Sequence, residues 1–344
     1  MGENRSVTVF GASGHTGRFV VAELRRRGFV PVLSGRDPGK LRAIGAGLDV
    51  RPATVDDPAA LDLALAGAAA VVNCAGPFAT TAAPLVEAAL RAGVPYVDVA
   101  AEIEANVDTF THFADRAREA GTVVLPAMAF YGGLGDLLVT AALDGGTAAD
   151  EVHVAYGLSG WQPTPGTRAA GAVSHDRRAG RRVRYTGGRL TYHDDAPSPA
   201  LSWPFPEPLG ERPVLREFSM ADLVTVPSHL AVPEVTTYMT VAAATELAAG
   251  AAESAAERTA ETFLVHALVR AGGVERRAVA RGQDIYAVTA PLAVEAVHRI
   301  LTGRTRTVGV ASAGALFDAA GFLRSLAPRL DFELETVTAG TAAR

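Results

Sequence analysis

The feature that most constrains this chain is a turn. Residues 7–10 read as a compact apolar strand, Gly11-Ala12-Ser13-Gly14-His15-Thr16-Gly17 follows at once, and an amphipathic helix is predicted over 15–26, with Phe19, Val20 and Leu24 on its apolar face. Glycines spaced G-x-x-G-x-x-G between a strand and a helix let the backbone turn tightly and approach a pyrophosphate. The helix N-terminus then offers free N–H groups and a partial positive charge. On this reading Gly11, Ser13, Gly14, His15, Thr16 and Gly17 cradle the phosphates of a dinucleotide.

The pattern repeats after the turn. Further strands are predicted at 30–33, 50–53, 69–73, 96–99 and 123–126, with helices over 38–44, 58–65, 82–91 and 106–120 between them. Gly28, Gly93 and Gly121 sit where helices stop, and Asp57-Pro58 reads as an N-cap and first helical residue. Near-continuous apolar strands alternating with helices predict a Rossmann-type, doubly wound parallel sheet. Ligands of such sheets bind at the carboxyl ends of the strands.

Three of those ends extend the candidate cofactor site. The second strand ends in Ser34-Gly35-Arg36-Asp37, where an NAD enzyme usually carries an acidic residue for the ribose 2′-hydroxyl. Arg36, with Lys40 four residues on, favours a 2′-phosphate instead, so NADP(H) is expected over NAD(H). Asp37 conflicts with this unless it points away. Asp56 can accept from the adenine amino group. Asn73, Cys74, Ala75, Gly76 and Pro77 follow the fourth strand, where the ribose and nicotinamide would pass.

Composition narrows the chemistry. Lys40 is the only lysine, so a Schiff-base lysine elsewhere is impossible, and the single cysteine excludes an intrachain disulfide and any multi-cysteine zinc site. The histidines show no metal-ligand spacing, and no metal is expected. A net charge of −5 argues against bulk nucleic-acid binding. No apolar run reaches the roughly 20 residues that span a bilayer. No signal-peptide layout opens the chain, so a cytoplasmic protein is expected.

The second half changes character near residue 150. Strands are predicted at 151–158, at 181–185 and 189–193 around Thr186-Gly187-Gly188, and at 235–242. A long Ala-rich helix is predicted over 246–271, a β-like segment over 276–289, a helix over 291–301, a short strand over 307–310 and a helix over 315–326. Residues 194–235 carry many prolines and few regular patterns, and residues after 337 read as frayed. The division expected is a dinucleotide-binding domain over 1–135, an α+β substrate or dimerisation domain with a mostly antiparallel sheet over 136–290, and C-terminal helices over 291–344 that return to the first domain.

Candidates for proton transfer lie on loops facing the cofactor. Asp98 and Glu102 flank the end of the fifth strand, each either a donor with a raised pKa or a satisfied structural carboxylate. Tyr131, in Phe130-Tyr131-Gly132-Gly133, is either a hydroxyl donor or a packed aromatic. Asp136 reads as a helix cap. His175, near Arg168, stands either at a substrate anion or on a solvated basic face. Trp161 and Trp203 either wall a pocket or pack.

These segments resemble the saccharopine dehydrogenase-like oxidoreductases, including the trans-acting enoyl reductases. The motifs that carry the resemblance are the glycine loop, Ser34-Gly35-Arg36, Asn73-Cys74-Ala75-Gly76-Pro77-Phe78 and Gly93-Val94-Pro95-Tyr96-Val97-Asp98-Val99-Ala100-Ala101-Glu102. A looser match runs from Gly282-Gln283-Asp284-Ile285-Tyr286 to Pro291. The resemblance implies NADP(H), a second α+β domain over the cleft, a homodimer, and hydride delivery to a C=N, C=C or C=O group of a small molecule. It leaves open an acyl chain held by a carrier. A nucleotide sensor that lost catalysis is the alternative from another class.

Overall fold

The computed structural model describes residues 5–249 and 261–337. Its strands are β1 (Ser6–Phe10), β2 (Val30–Gly35), β3 (Val50–Pro52), β4 (Ala70–Asn73), β5 (Tyr96–Asp98), β6 (Val123–Leu125), β7 (Glu151–Leu158), β8 (Arg182–Thr186), β9 (Arg189–His193), β10 (Leu201–Pro204), β11 (Glu211–Arg216), β12 (Val235–Thr240), β13 (Thr262–Ala271), β14 (Val274–Gln283), β15 (Gly309–Val310) and β16 (Leu330–Val337). Seven of them form one parallel sheet in the order β15-β6-β5-β4-β1-β2-β3. The order reverses beside β1, which is where a dinucleotide-binding sheet opens its crevice. Val7, Val9, Val71 and Val72 are fully buried, as a sheet covered on both faces requires.

The second sheet is nine-stranded, with the path β10-β11-β12-β7-β13-β14-β16 and the hairpin β8–β9 beside β12. Its pairs are antiparallel except β12 with β7. The hairpin turn is Gly187-Gly188, both at positive φ, as the Gly-Gly pair predicts. The helix Gly135–Leu143 packs on the second sheet against β13 and β14 and is buried at every residue except Thr140, which explains its mostly apolar sequence.

The chain then returns. Helix Ile285–Leu301 packs along helix His15–Arg26, and Arg27 bridges Glu23 on one helix to Glu295 on the other at 2.7 and 2.5 Å. β15 pairs with β6 in the first sheet, and β16 crosses back to pair with β14 in the second.

Three predicted elements are corrected, and one helix is added. The helix over 246–271 is the helix Val241–Ala249 and strand β13, with the segment between outside the described residues. β13 is central, between β7 and β14, and every residue from Phe263 to Val269 is buried, His266 included, so the run lacks strand alternation. The β-like segment over 276–289 ends at Gln283, because Asp284 caps a helix starting at Ile285. The helix over 315–326 is two short ones, Ala313–Leu316 and Ala319–Arg324. The stretch from 160 holds a helix, Pro165–Arg177, capped by Thr164. The tail read as frayed lies outside the described residues.

Candidate functional site

The glycine loop is built against two strand ends. Gly11 and Ala12 donate their N–H groups to the Ser34 carbonyl at 2.9 and 3.2 Å, and Gly14 N–H donates to the Gly11 carbonyl at 2.9 Å. A Cβ on Gly11 would lie 2.8 Å from Ala75 N, and one on Gly17 would lie 2.2 Å from the Gly11 carbonyl oxygen. These two glycines are therefore required for the loop to close down on the β4 turn. Gly14 is exposed above that turn and leads the helix His15–Arg26 with no side-chain cap. The cradle fits a pyrophosphate: closely packed below, open above, with the helix N–H groups aimed out. Ser13 and Thr16 are half-buried beside Gly14. Ser34 is buried, its hydroxyl without a hydrogen-bond partner among the described residues.

At the end of β2 the charges sort themselves. Asp37 turns into its own helix, Pro38–Ile44, and accepts from Lys40 N–H at 3.0 Å, so it does not reach for a ribose. Arg36 is exposed and makes no ion pair among the described residues. The Lys40 ammonium lies 3.8 Å from Asp37, with both side chains largely exposed. Asp56 is exposed beyond β3, its pKa lowered by the Thr54 hydroxyl. Hydrogen bonds to charged groups contribute about 1.5–3 kcal/mol. Arg36→Ala is therefore expected to weaken NADPH binding about ten- to a hundredfold and NADH less than about twofold. Lys40→Ala should shift the same ratio by only about threefold. Calorimetric titration with both nucleotides checks this, and equal losses for the two would refute it.

The β4 turn is held from within. Asn73 is buried, donates to Thr81 Oγ1 and Tyr96 OH at 3.1 Å each, and accepts from Ala75 N–H at 3.0 Å. Its side chain is therefore occupied, and what the turn offers a cofactor is the backbone of Cys74, Ala75, Gly76 and Pro77. Burial pushes the Cys74 thiol far up, which leaves it an inert packed group. Helix Pro165–Arg177 lies over this turn, with Ala170 Cβ 3.7 Å from where a Gly76 Cβ would stand.

Asp98 and Glu102 have structural partners. Asp98 is buried and accepts from Ala127 N–H at 2.8 Å, Ala100 N–H at 3.0 Å and Tyr96 OH at 2.9 Å, and burial pushes its pKa up to about 6. Glu102 caps the helix Phe78–Ala92 from another segment, accepting from Phe78 and Ala79 N–H at 2.8 and 3.0 Å. Burial raises its pKa as well. Both are satisfied carboxylates. Asp136 does not cap its helix. It is fully buried, accepts from Gly314 N–H at 2.6 Å and faces His229 Nε2 at 2.7 Å. His175 is exposed in the last turn of Pro165–Arg177, and half-buried Arg168 lies on the same helix.

Tyr131 is different. It stands in a break between β6 and the buried helix, at φ −89° and ψ 128°, followed by Gly132 at φ +94°. A Cβ on Gly132 would lie 2.9 Å from both Ala127 Cβ and Ala221 Cβ, so only glycine makes that turn. The Tyr131 ring packs against Phe130, Tyr156 and Trp161 at 4.8, 4.9 and 5.2 Å between centroids. Its hydroxyl is buried and has no hydrogen-bond partner among the described residues. Tyr156 OH lies 2.9 Å from each oxygen of buried Asp222, whose pKa burial pushes up to about 7. Trp161 Nε1 donates to Tyr286 OH at 3.4 Å, and the Tyr286 ring meets the His15 imidazole edge-on at 5.1 Å. Two ring contacts and one hydrogen bond thus join His15 of the glycine loop to Tyr131. Trp203 packs on the second sheet against Tyr238 and His266.

Sequence reasoning missed Tyr156, Asp222 and Tyr286. Only Tyr286 carried a signal, the Asp284 cap two residues before it. A separate cavity of about 840 Å³ is walled by Phe19, Leu209, Phe263, Leu264 and Val288, and touches neither Gly76 nor Tyr131.

Known proteins share this arrangement in part. Residues 7–125 match the family described as the saccharopine dehydrogenase NADP binding domain. A probable mitochondrial saccharopine dehydrogenase-like oxidoreductase of Arabidopsis thaliana is 28% identical over 142 residues, covering 36% of this chain and 31% of that protein. The saccharopine dehydrogenase-like oxidoreductase of Bos taurus is 25% identical over 145 residues, covering 36% and 34%. The chain spans about a third of the length of the curated relatives it matches. The apo histidine-tagged saccharopine dehydrogenase (L-Glu forming) from Saccharomyces cerevisiae superposes with a TM-score of 0.66 at 12% identity, covering 98% of this chain and 100% of that one. That likeness is one of fold. No helix among the described residues is long and apolar enough to cross a membrane.

Proposed function

We propose that this chain, whose residues 7–125 are an NADP-binding domain of the saccharopine dehydrogenase family, is an NADP(H)-dependent reductase acting on a C=N, C=C or C=O group of a small molecule. The observation that carries the proposal is the buried hydroxyl of Tyr131, unpartnered among the described residues, in the segment that follows β6 of the sheet whose β1 leads into the glycine loop. A buried hydroxyl without a partner is costly, and such groups persist where a ligand completes them. The nicotinamide, when bound, supplies the hydride.

The chain's own residues do the rest. Gly11, Gly14 and Gly17 shape the phosphate cradle, and Arg36 selects the 2′-phosphate. The β4 turn and helix Pro165–Arg177 close over the nicotinamide end and exclude water. Tyr131 donates the proton that accompanies the hydride, because burial raises its pKa well above neutral and keeps the hydroxyl protonated. Asp98 and Glu102 hold the loops in register. The cavity of about 840 Å³ does not touch Tyr131, so it lends no support to an acyl chain held beside that hydroxyl.

The test is NADPH oxidation with imines, enoyl thioesters and ketones, run beside NADPH and NADH titrations. Turnover of one class with NADPH preferred supports the proposal. Tight NADPH binding with no turnover of any class moves the reading to a nucleotide sensor. The proposal extends to a cytoplasmic homodimer, and light scattering at twice 35.6 kDa bears on the second part.

A further inference from the structure

The geometry points to Tyr286 as a positioning residue that couples the cofactor loop to the substrate side of the cleft. This rests on the cofactor reading proposed above. Tyr286 is the second residue of helix Ile285–Leu301, and its backbone is fixed by Asp284, whose carboxylate accepts from Tyr286 and Ala287 N–H at 3.0 Å each. Its ring rests edge-on against His15, in the first turn of the helix that leads from the glycine loop.

The hydroxyl works in the other direction. A phenol oxygen has two lone pairs and one proton. Thr164 N–H and Trp161 Nε1–H donate to it at 3.2 and 3.4 Å, which leaves its proton for Thr167 Oγ1 at 3.0 Å. Thr167 is in turn tied to Thr164, the N-cap of helix Pro165–Arg177. One side chain therefore sets the Trp161 indole and the start of the helix that covers Gly76. At its far end that helix is pinned to helix Ile103–Glu119 by Ser174 on Glu104 at 2.5 Å and Arg177 on Asp108 at 2.8 Å. Its N-terminal end is held by Tyr286. When the glycine loop is loaded, a shift of His15 moves the Tyr286 ring, and the hydroxyl carries that movement to Trp161 and so to the ring of Tyr131 5.2 Å away.

Tyr286→Phe keeps the ring on His15 and removes the three hydrogen bonds. In a Trp203→Phe background Trp161 is the only tryptophan, and its energy transfer to bound NADPH reports its placement. The expected result is an NADPH affinity within about twofold of the parent, with transfer at saturation changed about twofold. Turnover of the imine, enoyl thioester or ketone probe that the parent reduces should fall about tenfold while its KM rises. Thr167→Val, which removes the acceptor of the Tyr286 proton together with the Thr164 Oγ1 contact and leaves the Thr164 and Trp161 donors on Tyr286, should move both readouts the same way by less, and carries the test alone if Tyr286→Phe does not fold. Unchanged emission and transfer in these variants at saturating NADPH would overturn the coupling. A parent that does not bind NADPH would overturn the cofactor reading beneath it instead.

Discussion

Replacing Tyr131 by Phe is expected to lower turnover about a hundredfold, the lower end of what a positioned general acid contributes, while the fold becomes no less stable. The two halves of that expectation have one cause. The ring makes the packing contacts, with Phe130, Tyr156 and Trp161, and phenylalanine keeps all of them. The hydroxyl is buried and unpartnered, and a buried donor left unmade costs about 1–3 kcal/mol. Removing it therefore relieves the folded state. A tyrosine retained for structure would behave in the opposite way: its loss would lower the melting temperature and leave the chemistry alone. NADPH affinity should stay within about twofold, since no cofactor-cradle residue changes. Steady-state rates, thermal melts and NADPH titration on the same preparation decide the matter. Full turnover in Tyr131→Phe would make the residue a packing group.

What could be read from the sequence divides along a physical line. The parallel sheet was legible because its signals are local. Each strand is a short apolar run, each helix carries its period, and the glycine loop must turn where it does. Arg36 and the β8–β9 hairpin belong to the same class. The misses depend on partners far away in the chain. β13 reads as helix because both its faces are covered, one by the helix Gly135–Leu143 and the other by a cluster around Trp203 and Phe205, from segments far away in the chain. Helix Pro165–Arg177 buries only Ser174 and docks through polar contacts, so it has no apolar stripe to reveal it, although Thr164-Pro165 marks its start. Glu102 sits just before one helix and caps another that begins 24 residues earlier. Asp222 and Tyr156 are 66 residues apart and meet only through the fold.

That last pair gives a second large effect, on stability against pH. Asp222 is fully buried, and burial raises its pKa from the ordinary 3.8 to about 7, against the countering hydrogen bond from Tyr156 and with the charge of Asp136 adding to the rise. A carboxyl with a raised folded pKa contributes stability that is complete below its unfolded pKa, near 4, and is lost as pH rises through its folded pKa. The parent should therefore lose stability between pH 4 and about 7. Asp98, pushed up to about 6, adds the same sign over the lower part of that window. His229, raised because Asp136 outweighs its burial, adds loss above its ordinary 6.5. Asp222→Asn keeps an oxygen for Tyr156 OH and cannot ionise. At pH 8 the variant is expected to be more stable than the parent by about 2–4 kcal/mol, an order-of-magnitude figure from the proton-affinity difference. At pH 4 the advantage should vanish, because the parent's Asp222 is then neutral as well. The space is close: a Cβ on Gly135 would lie 1.9 Å from Asp222 Oδ1, so the amide must take the carboxylate's place without growing. Denaturant melts of both proteins at pH 4, 6 and 8 test it. Parallel pH profiles would mean that Asp222 is ionised at little cost, and that the Tyr156 hydroxyl alone compensates its burial.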